Sequence, residues 1–93
     1  MTAEDFDEDF LQQLREAFTI EANEHLQSMT AGLLELEQAP APARRMEVVG
    51  TIFRDAHSLK GAAGAISRSD IESVSRALEG IFAQWKTSAV TAP

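Results

Sequence analysis

The chain has 93 residues and a net charge of −7, and this length excludes a second domain. It has no cysteine, which excludes a disulfide framework and a thiolate metal site and fits a reducing cytoplasm. An acidic surface repels phosphate backbones, so nucleic acid is not an expected partner. No run of about 18 apolar residues predicts a membrane-spanning helix and the acidic N-terminus does not resemble an export signal, so we expect a cytoplasmic location without membrane association.

The first predicted element is a long amphipathic helix, helix A, over about residues 9–37. Its apolar residues recur at spacings of three, four or seven, as on one face of an α-helix: Phe10, Leu14, Phe18, Ala22, Met29, Leu33 and Leu36. Residues 1–37 hold ten Asp or Glu against Arg15 alone, which we interpret as a solvated helix face. His25 lies on the apolar stripe, far from any set of metal-ligand spacing, and is predicted to be a boundary histidine with a hydrogen-bond partner. Residues 1–7 are expected to form a flexible tail.

The second predicted element, helix B, covers about residues 43–64. The loop before it, Ala39-Pro40-Ala41-Pro42, ends helix A because proline removes a backbone donor and biases the preceding residue away from the helical conformation. Its length favours antiparallel packing of helices A and B. Gly64 is the predicted end of helix B. The apolar stripe, with a lysine at its edge, consists of Val49, Ile52, Phe53, Ala56, Leu59, Lys60 and Ala63.

Helix C is predicted over about residues 69–87, because Ser69 and Glu72 have the spacing of a capping box. Its stripe consists of Ile71, Val74, Leu78, Ile81, Phe82 and Trp85. Residues 88–93 lose the pattern and are expected to form a second tail. No segment alternates apolar and polar residues as a strand would, so the sequence predicts an all-α antiparallel helix bundle. Three helices of unequal length cover one another incompletely, and some apolar surface of helices A and C should stay exposed.

His57 is the residue of helix B that could carry chemistry, since Lys60, Gly61 and Gly64 follow it on the same face. Glycine costs about 0.8–1 kcal/mol relative to alanine inside a helix, so either a partner or a neighbouring helix is expected to approach this face closely. A neutral imidazole keeps a lone pair on one ring nitrogen and can attack phosphorus, and Lys60 could balance the charge of the attached phosphoryl group. His57 follows Ala56 by about 100° around the helix, which predicts that the ring edge reaches solvent.

The segment around His57 resembles the phosphoacceptor motif of histidine-phosphotransfer (HPt) domains. The matching residues are Phe53-Arg54-x-Ala56-His57-Ser58-Leu59-Lys60-Gly61-Ala62-Ala63-Gly64. The segment from Phe18 to Glu37 and the tripeptide Ala77-Leu78-Glu79 resemble helices A and C of the N-terminal (P1) domain of CheA-type chemotaxis histidine kinases. We therefore interpret residues 1–93 as a single HPt domain.

The resemblance implies a function and roles for individual residues. His57 would accept a phosphoryl group from ATP through a separate kinase domain, which would use ATP and Mg²⁺, and would pass it to an aspartate of a receiver domain. Lys60 would assist the phosphoryl group, and Glu79 would accept a hydrogen bond from the second imidazole nitrogen. The chain would need no cofactor of its own and would not be an enzyme by itself. The residues expected to allow docking or close approach are Ser58, Gly61, Gly64 and Arg76.

Two features depart from the family pattern. These kinases often carry a second histidine three residues before the helix C glutamate, where this chain has Arg76, which could contact phosphate but cannot share a proton in the same way. The family's bundle has at least four helices, so we expect this chain to be a fragment of a longer kinase with its fourth helix truncated. The uncovered stripe then predicts self-association, with a second copy in the place of the missing helix.

Two other functions stay open at the level of sequence. The chain could be a phosphorelay intermediate between two receivers, which labelling by a phosphorylated receiver, and not by a kinase, would distinguish. It could also be a non-catalytic helical oligomerisation module, in which case substitution of His57 would be harmless.

Overall fold

The computed structural model describes residues 3–87, with side chains from residue 8 onward, as three α-helices joined by two short turns. Helix α1 spans Ala3–Glu37, α2 spans Pro42–Ala65 and α3 spans Ser69–Thr87. The predicted all-α class and the order of helices A, B and C are confirmed. No helix within residues 3–87 combines the length and the apolar character needed to cross a membrane.

Helix starts differ from the sequence prediction at α1 and α2. Helix α1 begins at Ala3 and not near Asp9, so residues 3–7 are helical where a tail was predicted. Helix α2 begins at Pro42, because the fixed φ and missing N–H of proline suit the first helical position. The rest of the predicted tails, residues 1–2 and 88–93, lies outside the described residues.

The C-terminus of α2 is a Schellman turn. The backbone N–H of Arg68 donates to the carbonyl of Ala63 at 2.8 Å, and the N–H of Ser67 donates to the carbonyl of Gly64 at 3.1 Å. Ser67 takes the left-handed conformation, with φ of 60°, that such a turn requires. Helix α2 therefore continues to Ala65, one residue beyond the predicted end at Gly64.

Helix α2 lies at the centre of the molecule, packed between α1 and α3. Within the described chain, no Cα atom of α1 lies within 8 Å of one in α3, so α2 provides the surface on which both neighbours are fixed. Ile52, Ala56 and Ala63 of α2 are fully buried, at 0% exposure. The remaining buried apolar side chains are Phe18, Ala22, Met29, Leu36, Val48, Val49, Leu59 and Phe82.

Opposite α2, helices α1 and α3 leave an apolar groove open. Leu26 lines it from α1, Val74 and Leu78 line it from α3, and Leu59 and Ser75 lie in its floor. The prediction of uncovered apolar surface is confirmed, and the predicted self-association through this surface stays a prediction. Several residues assigned to the core stripes are instead exposed: Phe10 (53%), Leu33 (38%), Val74 (62%) and Ile81 (45%). The buried residues of α3 are Phe82, which belongs to the predicted stripe, and Ser75, which does not.

Gly32 allows the close approach of α1 to α2. A Cβ atom at this position would lie 2.5 Å from Cγ2 of Ile52 and 3.3 Å from Cγ1 of Val48. The first distance is too short for two carbon atoms, whose favourable separation is about 3.5–4 Å. The absence of a side chain at Gly32 therefore determines how tightly the two helices pack.

Gly32→Ala should lower the free energy of unfolding by about 1–3 kcal/mol, because the added methyl group overpacks the interface. Urea unfolding followed by circular dichroism measures the change. Gly80→Ala is the matched control, since a Cβ there meets nothing within 4 Å and alanine should stabilise the exposed helix by about 0.4–1 kcal/mol. A Gly32→Ala protein as stable as wild type would show that the interface is not tightly packed.

A polar contact also joins α1 to α2 through His25. Its Nδ1–H donates to Oδ1 of Asp55 at 3.0 Å, and its Nε2 lies 3.4 Å from Oε1 of Glu21. The hydrogen bond to Asp55 raises the pKa of His25 above its ordinary value, and Glu21 adds to this while partial burial opposes it. The prediction of a boundary histidine with a hydrogen-bond partner is confirmed.

The raised pKa of His25 makes this contact sensitive to pH. The folded state holds the proton more tightly than the unfolded chain, so the stabilisation is complete below pH 6.5, the ordinary pKa, and is lost as the pH rises through the folded-state pKa. The free energy of unfolding of wild type should therefore fall relative to that of His25→Gln as the pH rises from the ordinary pKa of 6.5 through the higher folded-state pKa. A difference between the two proteins that does not change with pH would contradict the assignment.

Candidate functional site

Helix α2 presents His57 to solvent. Its side chain is 63% exposed, whereas the preceding residue, Ala56, is fully buried. The two positions are separated by about 100° around the helix, so a side chain directly after the buried stripe lies at the border of the packed surface. His57 is therefore accessible to another molecule while its backbone is held in the most buried helix.

Glu79 reaches this histidine from α3. Its Oε1 lies 3.3 Å from Nδ1 of His57, and its Oε2 lies 2.7 Å from Nζ of Lys60. One carboxylate thus contacts both the imidazole and the ammonium that the sequence placed together on α2. Glu79 and Lys60 are half-buried, with side chains 20% and 27% exposed. The ion pair with Lys60 lowers the pKa of Glu79 below its ordinary value and His57 contributes further, while burial opposes both.

The contact at Nδ1 bears on which ring nitrogen carries the proton. A carboxylate can only accept hydrogen bonds, so Glu79 favours the neutral tautomer that carries its proton on Nδ1. In that tautomer the lone pair resides on Nε2, the nitrogen on the other side of the ring. The site therefore combines an exposed nucleophilic nitrogen with a carboxylate behind it and an ammonium one helical turn away.

Phe53 and Lys86 extend the site in a way that sequence reasoning did not assign. The ring of Phe53 stacks beside the imidazole of His57, with centroids 6.4 Å apart and planes inclined by 18°. The ammonium of Lys86, in the last turn of α3, lies 4.3 Å from the centroid of Phe53. The spacing of four residues between Phe53 and His57 is a signal that could have indicated their contact. For Lys86 the sequence contains no comparable signal.

The glycines that follow His57 have different surroundings. A Cβ atom at Gly61 would meet nothing within 4 Å, and Ser58 is likewise exposed, so this part of the face is open to a partner. At Gly64, a Cβ would lie 3.0 Å from Oε2 of Glu72. Gly64 therefore gives room to a side chain of α3, in addition to any role toward an external molecule.

Arg76 lies on α3 one turn before Glu79, but its observed partner is Glu72. A guanidinium nitrogen, Nη2, donates to Oε1 of Glu72 at 2.7 Å, and the arginine side chain remains 66% exposed. Glu72 was predicted to form a capping box with Ser69, in which the serine is the residue just before the helix. Ser69 is instead the first residue of α3. The structure thus places Arg76 beside the glycine-containing end of α2 without showing a contact to His57.

The sequence matches the Hpt domain family over residues 13–92. The chain belongs to the Hpt domain family. The match includes residues 13–37 of α1 and all of α2 and α3, and it contains His57, Lys60 and Glu79.

This Hpt domain is also similar to proteins that are named chemotaxis protein CheA. It is 38% identical to the protein of Halobacterium salinarum over 71 residues, or 76% of this chain. It is 34% identical to that of Bacillus subtilis over 72 residues, or 77% of this chain, and 35% identical to that of Rhizobium meliloti over 69 residues, or 74% of this chain. The chain spans about a tenth of the length of these relatives: 10%, 10% and 9%, respectively. No solved structure gives a significant match.

Lys60→Met should raise the pKa of Glu79 toward or above its ordinary value of 4.5, because the substitution removes the hydrogen bond and the positive charge that stabilise the carboxylate. A pH titration of the ¹³C carboxyl signal of Glu79 measures the change. Lys86→Met, which removes an ammonium that lies over Phe53, is the control and should change this pKa much less. An unaltered pKa of Glu79 in Lys60→Met would show that the two groups are not paired in solution.

Proposed function

We propose that this Hpt domain is the phosphoacceptor and phosphodonor of a CheA-like histidine kinase, with His57 as the residue that carries the phosphoryl group. The observation that supports this most directly is the arrangement of Glu79 between His57 and Lys60, since it leaves Nε2 as an exposed nucleophile. Membership of the Hpt domain family and similarity to chemotaxis proteins support the same function.

In the proposed reaction, the Nε2 lone pair of His57 attacks the γ-phosphorus of ATP held by a separate kinase domain. A bond forms between Nε2 and phosphorus, the bond from phosphorus to the bridging oxygen breaks, and ADP leaves. The imidazole gains positive charge as it attacks, and the Nδ1–H donated to Glu79 stabilises that charge. ATP and Mg²⁺ belong to the kinase domain in this proposal, which supplies the activated phosphoryl group.

Lys60 contributes electrostatically. The phosphoryl group carries negative charge on its oxygens, and an ammonium one turn along the helix can form charge-assisted hydrogen bonds with it. In the unphosphorylated domain this ammonium pairs with Glu79, 2.7 Å away, so it is held near His57 before the phosphoryl group arrives. A charge positioned beforehand needs little reorganisation during the reaction.

The second proposed step returns the imidazole to its starting form. A carboxylate oxygen of an aspartate on a receiver domain attacks the phosphorus, the Nε2–phosphorus bond breaks, and the lone pair returns to Nε2. The open surface at Gly61 and Ser58 supports close approach of such a partner, because no side chain of the domain covers Gly61. The Hpt domain is the substrate of one partner and the donor for the other, and does not catalyse either step alone.

A phosphorelay between two receivers would use the same residues. In that case a phosphorylated receiver, and not a kinase domain with ATP, would be the donor. An oligomerisation module would use the apolar groove between α1 and α3 and would not need the contacts at Glu79. The convergence of imidazole, carboxylate and ammonium at one exposed position favours phosphotransfer over this second possibility.

Incubation with ATP, Mg²⁺ and the kinase core of a CheA-type protein should place an acid-labile, base-stable phosphate on the wild-type chain. His57→Gln should abolish this labelling, because glutamine has no nucleophilic ring nitrogen. His25→Gln is the matched control and should retain labelling, since it changes the other histidine of the chain. Equal labelling of His57→Gln and wild type would overturn the assignment, and labelling only by a phosphorylated receiver would favour the relay.

A further inference from the structure

The side chains of His57, Phe53 and Lys86 form a continuous series of contacts at the exposed border between α2 and α3. The imidazole stacks beside the phenyl ring, whose plane is inclined by 18° to it, and the lysine ammonium lies 4.3 Å from the centroid of the same phenyl ring. Phe53 is half-buried and also packs against the core. The phenyl ring therefore links an exposed imidazole to the packed interior.

An imidazole that is 63% exposed needs more than one contact to keep its orientation. The last torsion of a histidine side chain has a broad energy profile, so a carboxylate at one edge leaves the ring able to tilt and turn. The distance of 3.3 Å between Nδ1 and Glu79 is at the long end for a hydrogen bond. The phenyl ring of Phe53, which lies beside the imidazole with its plane nearly parallel, supplies the restraint on ring orientation that the carboxylate does not.

We propose that Phe53 is a positioning residue for His57, and that Lys86 holds the phenyl ring in its stacked position. This proposal rests on the proposed function, since it concerns how the nucleophilic nitrogen is presented. The centroid separation of 6.4 Å lies within the range of about 4.5–7 Å in which aromatic pairs attract. The ammonium of Lys86 is close enough for a cation–π interaction, which extends to about 6 Å.

The expected effect of this restraint is a shift in tautomer. In an unrestrained histidine side chain the Nε2–H tautomer predominates, which leaves the lone pair on Nδ1. With the ring plane held by Phe53, the Nδ1–H stays directed at Glu79 and the lone pair stays on Nε2. Loss of the stacked ring should return part of the population to the ordinary tautomer.

The test measures the tautomer of His57 directly, in the absence of any phosphodonor. Long-range ¹H–¹⁵N correlation spectra of ¹⁵N-labelled protein at alkaline pH distinguish the two neutral forms. Wild type should be mainly Nδ1–H, and Phe53→Leu should lower the ratio of Nδ1–H to Nε2–H by about two- to tenfold, as expected for loss of one aromatic contact. Phe53→Tyr keeps the ring and should restore the wild-type ratio.

Two further variants make the test specific. Lys86→Met should move the ratio in the same direction as Phe53→Leu but by a smaller factor, and it tests the proposal even if Phe53→Leu fails to fold. Phe10→Leu changes another phenylalanine, 53% exposed on α1, and should leave the ratio unchanged. Circular dichroism and urea unfolding establish which variants are folded.

The proposal is overturned if folded Phe53→Leu and Lys86→Met both keep the wild-type ratio, or if Phe53→Tyr loses as much as Phe53→Leu. The outcome is separable from that of the proposed function. Absence of kinase-dependent labelling in a protein with the expected tautomer ratios would overturn phosphotransfer and leave the positioning role intact. Labelling of His57 together with unchanged tautomer ratios in the variants would support phosphotransfer and overturn the positioning role.

Discussion

The carboxylate of Glu79 is the group on which the organisation of the site depends. It comes from α3, yet both of its contacts are with α2, where it meets Nδ1 of His57 through one oxygen and Nζ of Lys60 through the other. A carboxylate that is only 20% exposed needs such partners, because a buried charge without compensation is costly. The same pairing that stabilises Glu79 therefore places a carboxylate oxygen beside Nδ1 of the imidazole and holds the ammonium nearby.

This arrangement requires that α3 pack on α2 in one register. Phe82, one turn after Glu79, is 2% exposed and joins the core around α2, and Ser75, one turn before it, is 1% exposed. The carboxylate lies at the edge of this buried face, where it can reach polar groups at the surface. The apolar packing thus determines the position of the polar contact, and the polar contact adds specificity to it.

Helix α1 packs on a different face of α2, and within residues 3–87 none of its Cα atoms lies within 8 Å of one in α3. The close approach at Gly32 and the polar contact from His25 to Asp55 attach α1 to α2. Fully buried alanines in α2, Ala56 and Ala63, keep this central helix narrow. Helices α1 and α3 cover two faces of α2, and the remaining exposed surface of α2 carries His57 and Gly61.

Much of the fold could be predicted from local pattern, because each helix carries its own amphipathic periodicity and its own end signals. The stripe of α2 agrees with the structure for this reason. Helix α3 begins at Ser69 as predicted, although Ser69 is its first helical residue and not the cap that the sequence predicted. The exposed Val74 and Ile81 do not, since the apolar surface of α3 is wider than one contact face. Which part of that surface becomes buried depends on where α2 lies, and this information is not contained in the periodicity of α3.

The candidate site likewise has one part that the sequence predicted and another part that depends on the tertiary structure. The sequence by itself placed His57, Lys60 and Gly61 on one face of one helix, because residues three and four apart in a helix are neighbours. Glu79 was implied by family resemblance, and Lys86 was not anticipated, because both are separated from His57 by more than twenty residues of chain. Only the tertiary structure decided that a carboxylate reaches the histidine and that a second ammonium reaches the neighbouring ring of Phe53, since contacts between helices depend on their packing register and not on spacing along the chain.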